Sequence, residues 1–75
     1  MKYIIEYYLP GQSHLFSEPF RHGISDEEEL IVAAAIAEAN GYDLIGVYEQ
    51  QAGRAVPIAD NYNDIHNLIE KGILK

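Results

Sequence analysis

Apolar positions run through this chain in blocks, and the period changes from block to block. Lys2 to Leu9, KYIIEYYL, is dense in Tyr and Ile and halts at Pro10-Gly11. Pro presets φ and Gly permits φ > 0, so the stretch reads as a strand followed by a turn. His14 to Phe20 reads as a returning strand, with Pro19 suited to an edge or a strand end because it lacks an amide donor. At SDEEELIVAAAIAEANG, residues 25–41, the pattern becomes helical. Ser25 stands three residues before Glu28, the spacing of a capping box, and Asn40-Gly41 supplies a left-handed stop, so a helix is expected over 26–40.

Tyr42 to Gln50 returns to β-branched and aromatic residues and predicts a third strand. Residues 51–54 hold Gly53 and read as a turn, and Ala55 to Ala59 is a short outer strand carrying Pro57. Asp60 to Asn63 is rich in capping side chains. Tyr62, Ile65, Leu68 and Ile69 then recur at helical spacing up to Gly72, predicting a second helix over 62–71. The order ββαββα resembles one unit written twice, 1–41 and 42–75. Hairpins followed by helices put both helices on one face of a four-stranded, mainly antiparallel sheet, a two-layer α+β sandwich.

The first helix is apolar nearly all round. Its expected inner arc is Leu30, Val32, Ala33, Ile36 and Ala37, with Ile31, Ala34, Ala35 and Glu38 outside. Two readings of the outer residues follow. Either the alanines let the second helix or a sheet edge approach, or Ile31 centres a contact with a partner or a second subunit.

Charge narrows the field of functions. Twelve Asp and Glu against five Lys and Arg leave a net charge of −7, which repels phosphate backbones and anionic lipid and favours cationic partners. The expectation is a protein partner with a basic surface and no direct contact with nucleic acid or membrane. With 75 residues the chain has room for one core and little for a deep substrate pocket. It has no Cys to form a disulfide or a thiolate metal site. The run MKYIIEYYLPG, interrupted by Glu6, is unlike a signal peptide, and a cytoplasmic location is the default expectation.

Candidate chemistry is sparse. His14, His22 and His66 do not share an i, i+4 metal spacing, and DNYND at 60–64 has Tyr62 and Ile65 where a calcium loop needs an oxygen ligand and a glycine. No cofactor or metal is expected. Ser13-His14 neighbours point to opposite strand faces, so no nucleophile–base pair is legible.

Binding surfaces are more legible. Carboxylates in a first helical turn complement the helix dipole, yet Asp26, Glu27, Glu28 and Glu29 exceed what one helix start needs. These four, together with Ile31, Glu38 and a side-by-side pair of exposed tyrosines, Tyr8 and Tyr48, form the expected partner-binding set. The expected function is a small acidic, non-catalytic protein-binding module. It would act as an inhibitor of a basic nucleic-acid-handling protein, in the physical style of phage and mobile-element inhibitors that mimic DNA. The alternative is a homodimeric accessory domain of a bacterial-type cytoplasmic protein whose acids serve solubility. A small enzyme with histidines in a cleft comes third.

Overall fold

In the computed structural model, which describes residues 1–74, the element order is β1 (Tyr3–Tyr8), β2 (Phe20–Ile24), α1 (Glu27–Ala39), β3 (Asp43–Gln51), β4 (Arg54–Ala59) and α2 (Tyr62–Glu70). The strands form one antiparallel sheet in the order β2-β1-β3-β4. This is the α+β, ββαββα architecture that the hydrophobic pattern predicts.

Alternation in β1 explains the layering. Tyr3 and Ile5 enter one core cluster with Leu30 and Ala34 of α1 and Ile65 of α2, so both helices cover the same sheet face. Ile24, Leu44, Val47, Ala59 and Leu74 complete this interior. Ile4 and Tyr8 are also buried, yet they lie outside that cluster, on the opposite face of the sheet.

Both helices begin and end by the same local chemistry. Asp26 caps α1 by accepting from the Glu29 amide at 2.9 Å, and Asn61 caps α2 by accepting from the Asp64 amide at 2.8 Å. In each case the acid three residues into the helix turns back, Glu29 to the Ser25 amide and Asp64 to the Asp60 amide. At the other ends Gly41 and Gly72 take φ of 71° and 73°. The amides of Tyr42 and Ile73 then reach the carbonyls of Ala37 and Leu68, closing the last turn in a Schellman motif. The start of α1 corrects one expectation: Asp26 is the cap and Ser25 only offers its amide to Glu29.

The second strand is also corrected, to Phe20–Ile24 and not His14–Phe20. Pro10-Gly11 does make a tight turn, with Gln12 N donating to Leu9 O and Gly11 at φ 81°. The chain then spends Ser13–Ser17 on a single helical turn, closed by Ser17 N to Ser13 O at 2.9 Å, before β2 starts after Pro19. In the strand that forms, Phe20, His22 and Ile24 alternate with Arg21 and Gly23. Its register on β1 sets Phe20 opposite Tyr7 and Ile24 opposite Tyr3.

The buried stripe of α1 is Leu30, Ala34 and Ala37, with Ile31 and Ala33 half-buried against the core. Val32 and Ile36, expected inside, are 52% and 55% exposed. Helix geometry gives the reason: at about 100° per residue, Val32 stands about 200° and Ile36 about 240° round the axis from Leu30. Ala34 lies only about 40° away, so the alanine and not the larger residues follows Leu30 inward.

Candidate protein-interaction surface

The connection 9–19 folds onto the sheet face that carries no helix. His14 stacks on the Tyr8 ring with centroids 4.0 Å apart, and its Nε2 lies 2.6 Å from Oδ2 of Asp43, the residue paired with Tyr8 across the sheet. Beyond this clamp, Leu15 and Phe16 are 87% and 90% exposed. A loop with two apolar side chains in water is held in place by one histidine, a feature that the strand expected there had concealed.

Tyr8 is therefore buried beneath His14 and is not one of an exposed pair. Tyr48 pairs with Ile4, four residues up β1 from Tyr8, a separation of roughly 13 Å at strand rise. Its ring lies flat over Gly46, where an added Cβ would stand 2.7 Å from the Tyr48 hydroxyl. A hydrogen bond to the Glu6 carboxylate, and then burial, push the Tyr48 phenol above its ordinary range. Glu6 also meets Arg21 at 3.4 Å, so this middle part of the outer face is internally satisfied.

The acidic start of α1 is tied down by its own neighbours. Asp26 caps, Glu29 accepts from Ser25, and Glu27 pairs with the Lys2 ammonium and accepts from the Tyr3 hydroxyl at 3.3 Å. The Lys2 hydrogen bond holds the Glu27 carboxyl below the usual range and raises the Lys2 ammonium. Glu28 is exposed and has no partner among the described residues. Amide donors satisfy carboxylate geometry without cancelling charge. Four carboxylates against the one ammonium of Lys2 leave the cluster at three net negative charges.

Glu38 and Ile31 belong elsewhere. Glu38 accepts from His66 of α2 at 2.9 Å, bridging the helices. Ile31 lines the narrow α1–α2 cleft of about 60 Å³ with Ala34, Ala35, Tyr62 and Ile65. The alanines thus serve close helix approach, and Ile31 faces α2 and not the solvent-facing side of α1.

On the opposite flank of α1 the layer is open. α1 packs mainly over β1 and β3, and of β2 only Ile24 is buried in the shared core. A groove of about 300 Å³ results, walled by Ala33, Ile36 and Ala37 on one side and by Tyr7 and His22 on the other, with Glu29 at its rim. Tyr7 stacks on Tyr42 at 4.9 Å and its hydroxyl is 2.9 Å from His22 Nε2. Burial raises the Tyr7 phenol. The three histidines thus have three separate partners: Asp43, Tyr7 and Glu38. In DNYND, Asn61 and Asp64 are occupied in the α2 cap.

No family model matches the chain, and no curated protein or solved structure matches it either. No helix among the described residues is long and apolar enough to cross a membrane.

Proposed function

We propose that this protein is a non-catalytic protein-binding module whose partner presents a basic surface, acting in the manner of a small acidic inhibitor of a nucleic-acid-handling protein. The observation that carries the binding role is the pinned loop 9–19, which holds Leu15 and Phe16 out in water. Exposed apolar side chains on an ordered loop offer contact area without a large ordering cost on association. The uncompensated charge at the start of α1 gives the sign of the partner, since Asp26, Glu27, Glu28 and Glu29 outnumber the one cation among them. A cationic surface is steered toward such a patch, and its lysines and arginines resemble those that meet phosphate.

The two features separate in kinetics. With the partner captured from the native host and purified, Phe16→Ser is expected to speed dissociation at least tenfold. Glu28→Lys is expected to slow association severalfold, and the wild-type complex is expected to weaken as salt rises. Both substitutions fall on exposed positions, so thermal melts are expected to stay close to wild type. A complex indifferent to salt and to both changes would refute the reading.

A further inference from the structure

The two edges of the sheet are treated differently. Along β4, Pro57 removes an amide donor and a register shift at Ile58 breaks the ladder, both devices that discourage pairing with another strand. Along β2 there is neither: Phe20–Ile24 contains no proline or lysine, pairs with β1 without a register shift, and leaves four of its five residues exposed. Beside this open edge lie the exposed apolar side chains of Phe20 and Ile36 and the groove between α1 and β2.

We infer that β2 and the outer flank of α1 form a homodimer interface, in which the β2 strands of two copies pair antiparallel about His22 into one eight-stranded sheet. Charge selects a second copy over a basic partner. β2 carries no carboxylate and contributes Arg21 and His22, and residues 30–37 of α1 carry no charge at all. A cationic protein is drawn to Asp26–Glu29 and finds no carboxylate on β2, where Arg21 is already paired with Glu6, whereas two copies of this acidic chain meet least repulsion where acids are sparse. At physiological salt, charges more than about 8 Å away are largely screened.

The pairing is also self-complementary. A two-fold axis through His22 sets Phe20 opposite Ile24 of the second copy and Arg21 opposite its Gly23, over which the exposed Met1 side chain lies. Above the joined strands the two α1 helices flank a shared trough, and Ile36, Phe20 and His22 of both copies fill it. The dimer has a functional consequence independent of the partner's identity. Each acidic helix start follows directly on Ile24, so antiparallel pairing places the two clusters at opposite ends of the β2 pair, and the dimer can engage two basic sites at once.

Sedimentation velocity and light scattering from micromolar to millimolar protein, with amide hydrogen exchange at both extremes, test the inference. Wild type is expected to dimerise with rising concentration and to gain protection at residues 20–24 while 54–59 stay unchanged. Ile36→Glu and Phe20→Lys are each expected to weaken the dimer at least tenfold with helix content retained. Loss with either sign of charge separates desolvation from a general charge effect, and the second variant stands if the first fails to fold. A wild type monomeric at millimolar concentration, a dimer insensitive to both changes, or a dimer without new protection in β2 would overturn the proposal.

Discussion

The two ββα halves of this molecule are built from the same parts and finished differently. In the second half, β3 and β4 are joined by two residues, Ala52 and Gly53, with φ of 49° and 80°, the pattern of a type I′ turn. Its edge is blunted by Pro57, and the Schellman turn after α2 returns Leu74 into the core. In the first half, β1 and β2 are joined by the loop 9–19, β2 is exposed at every residue but Ile24, and α1 exposes Val32 and Ile36. The second half closes the turn and the sheet edge that the first leaves open, while Ile69 and Ile73 remain its exposed large apolar side chains. Stability is a shared property, because one core cluster joins residues of both halves, whereas the surfaces available for binding concentrate in the first.

The comparison breaks most severely at the residues that anchor each helix. Leu30 is the one large side chain that α1 buries fully, since its companions in the stripe are Ala34 and Ala37. Ile65 holds the same position for α2, with Tyr62 and Leu68 only half-buried around it. Leu30→Ala and Ile65→Ala are each expected to cost about 2–5 kcal/mol in urea unfolding. With a single core, either substitution is expected to lower one cooperative transition. Two separated transitions would show the halves to be independent.

Caps give a middle-sized effect, and they probe what the two halves share. Asp26→Ala and Asn61→Ala are each expected to cost about 1 kcal/mol, because each removes the acceptor for a helical amide. Ser25→Ala is expected to be nearly neutral, since Ser25 contributes its backbone amide, which alanine retains. Urea midpoints for the three variants check this order.

The hairpins answer to a smaller change of opposite sign. Ala52 occupies a left-handed conformation that L-residues with a plain Cβ disfavour and that asparagine tolerates. Ala52→Asn creates the favoured Asn-Gly pair and is expected to stabilise the protein by about 0.5–1 kcal/mol, read as a higher melting midpoint. No equivalent gain is available in the loop 9–19, where the left-handed position of the tight turn is already Gly11 and the rest of the loop is anchored through His14.

This difference also decided what could be read in advance. Gly41, Gly53 and Gly72 announce local geometry, and the elements they bound, β3, β4 and α2, fall within a residue or so of their expected limits. β2 was displaced because Leu15 and Phe16 look like strand residues, and nothing local states that they lie in a loop. The alternation of Phe20, His22 and Ile24 was present in the sequence, but a histidine at the central inward position hid it. For α1 the obstacle was uniformity: with apolar residues nearly all round, composition does not mark the inner face, and only counting round the axis from Leu30 does. The contacts of His14 with Tyr8 and Asp43 depend on tertiary folding of the loop, so the surface that they create was invisible as a pattern.

The smallest effect concerns the tie that holds β1 to the start of α1 in the open half. The ion pair of Lys2 with Glu27 spans this junction, while the corresponding polar tie of α2 runs from His66 to Glu38 on the other helix. The Lys2 hydrogen bond lowers the Glu27 carboxyl in the folded state, so its contribution to stability is present above the unfolded carboxyl range of about 4.3 and is lost as pH falls through the lowered folded value. Lys2 is raised by the same bond. Its contribution is therefore present below about 10.4 and is lost as pH rises through the raised folded value. Glu27→Gln is expected to destabilise slightly at neutral pH and to converge with wild type at both extremes, because both groups are exposed and solvent screens the pair. Urea midpoints at acid, neutral and alkaline pH check the shape. Tyr3 is raised first by burial and then by the Glu27 charge, so its ionisation at high pH differs between the two proteins and the acid limb isolates the tie. A constant offset across the range would mean that Glu27 acts through packing on Tyr3 and not through its charge.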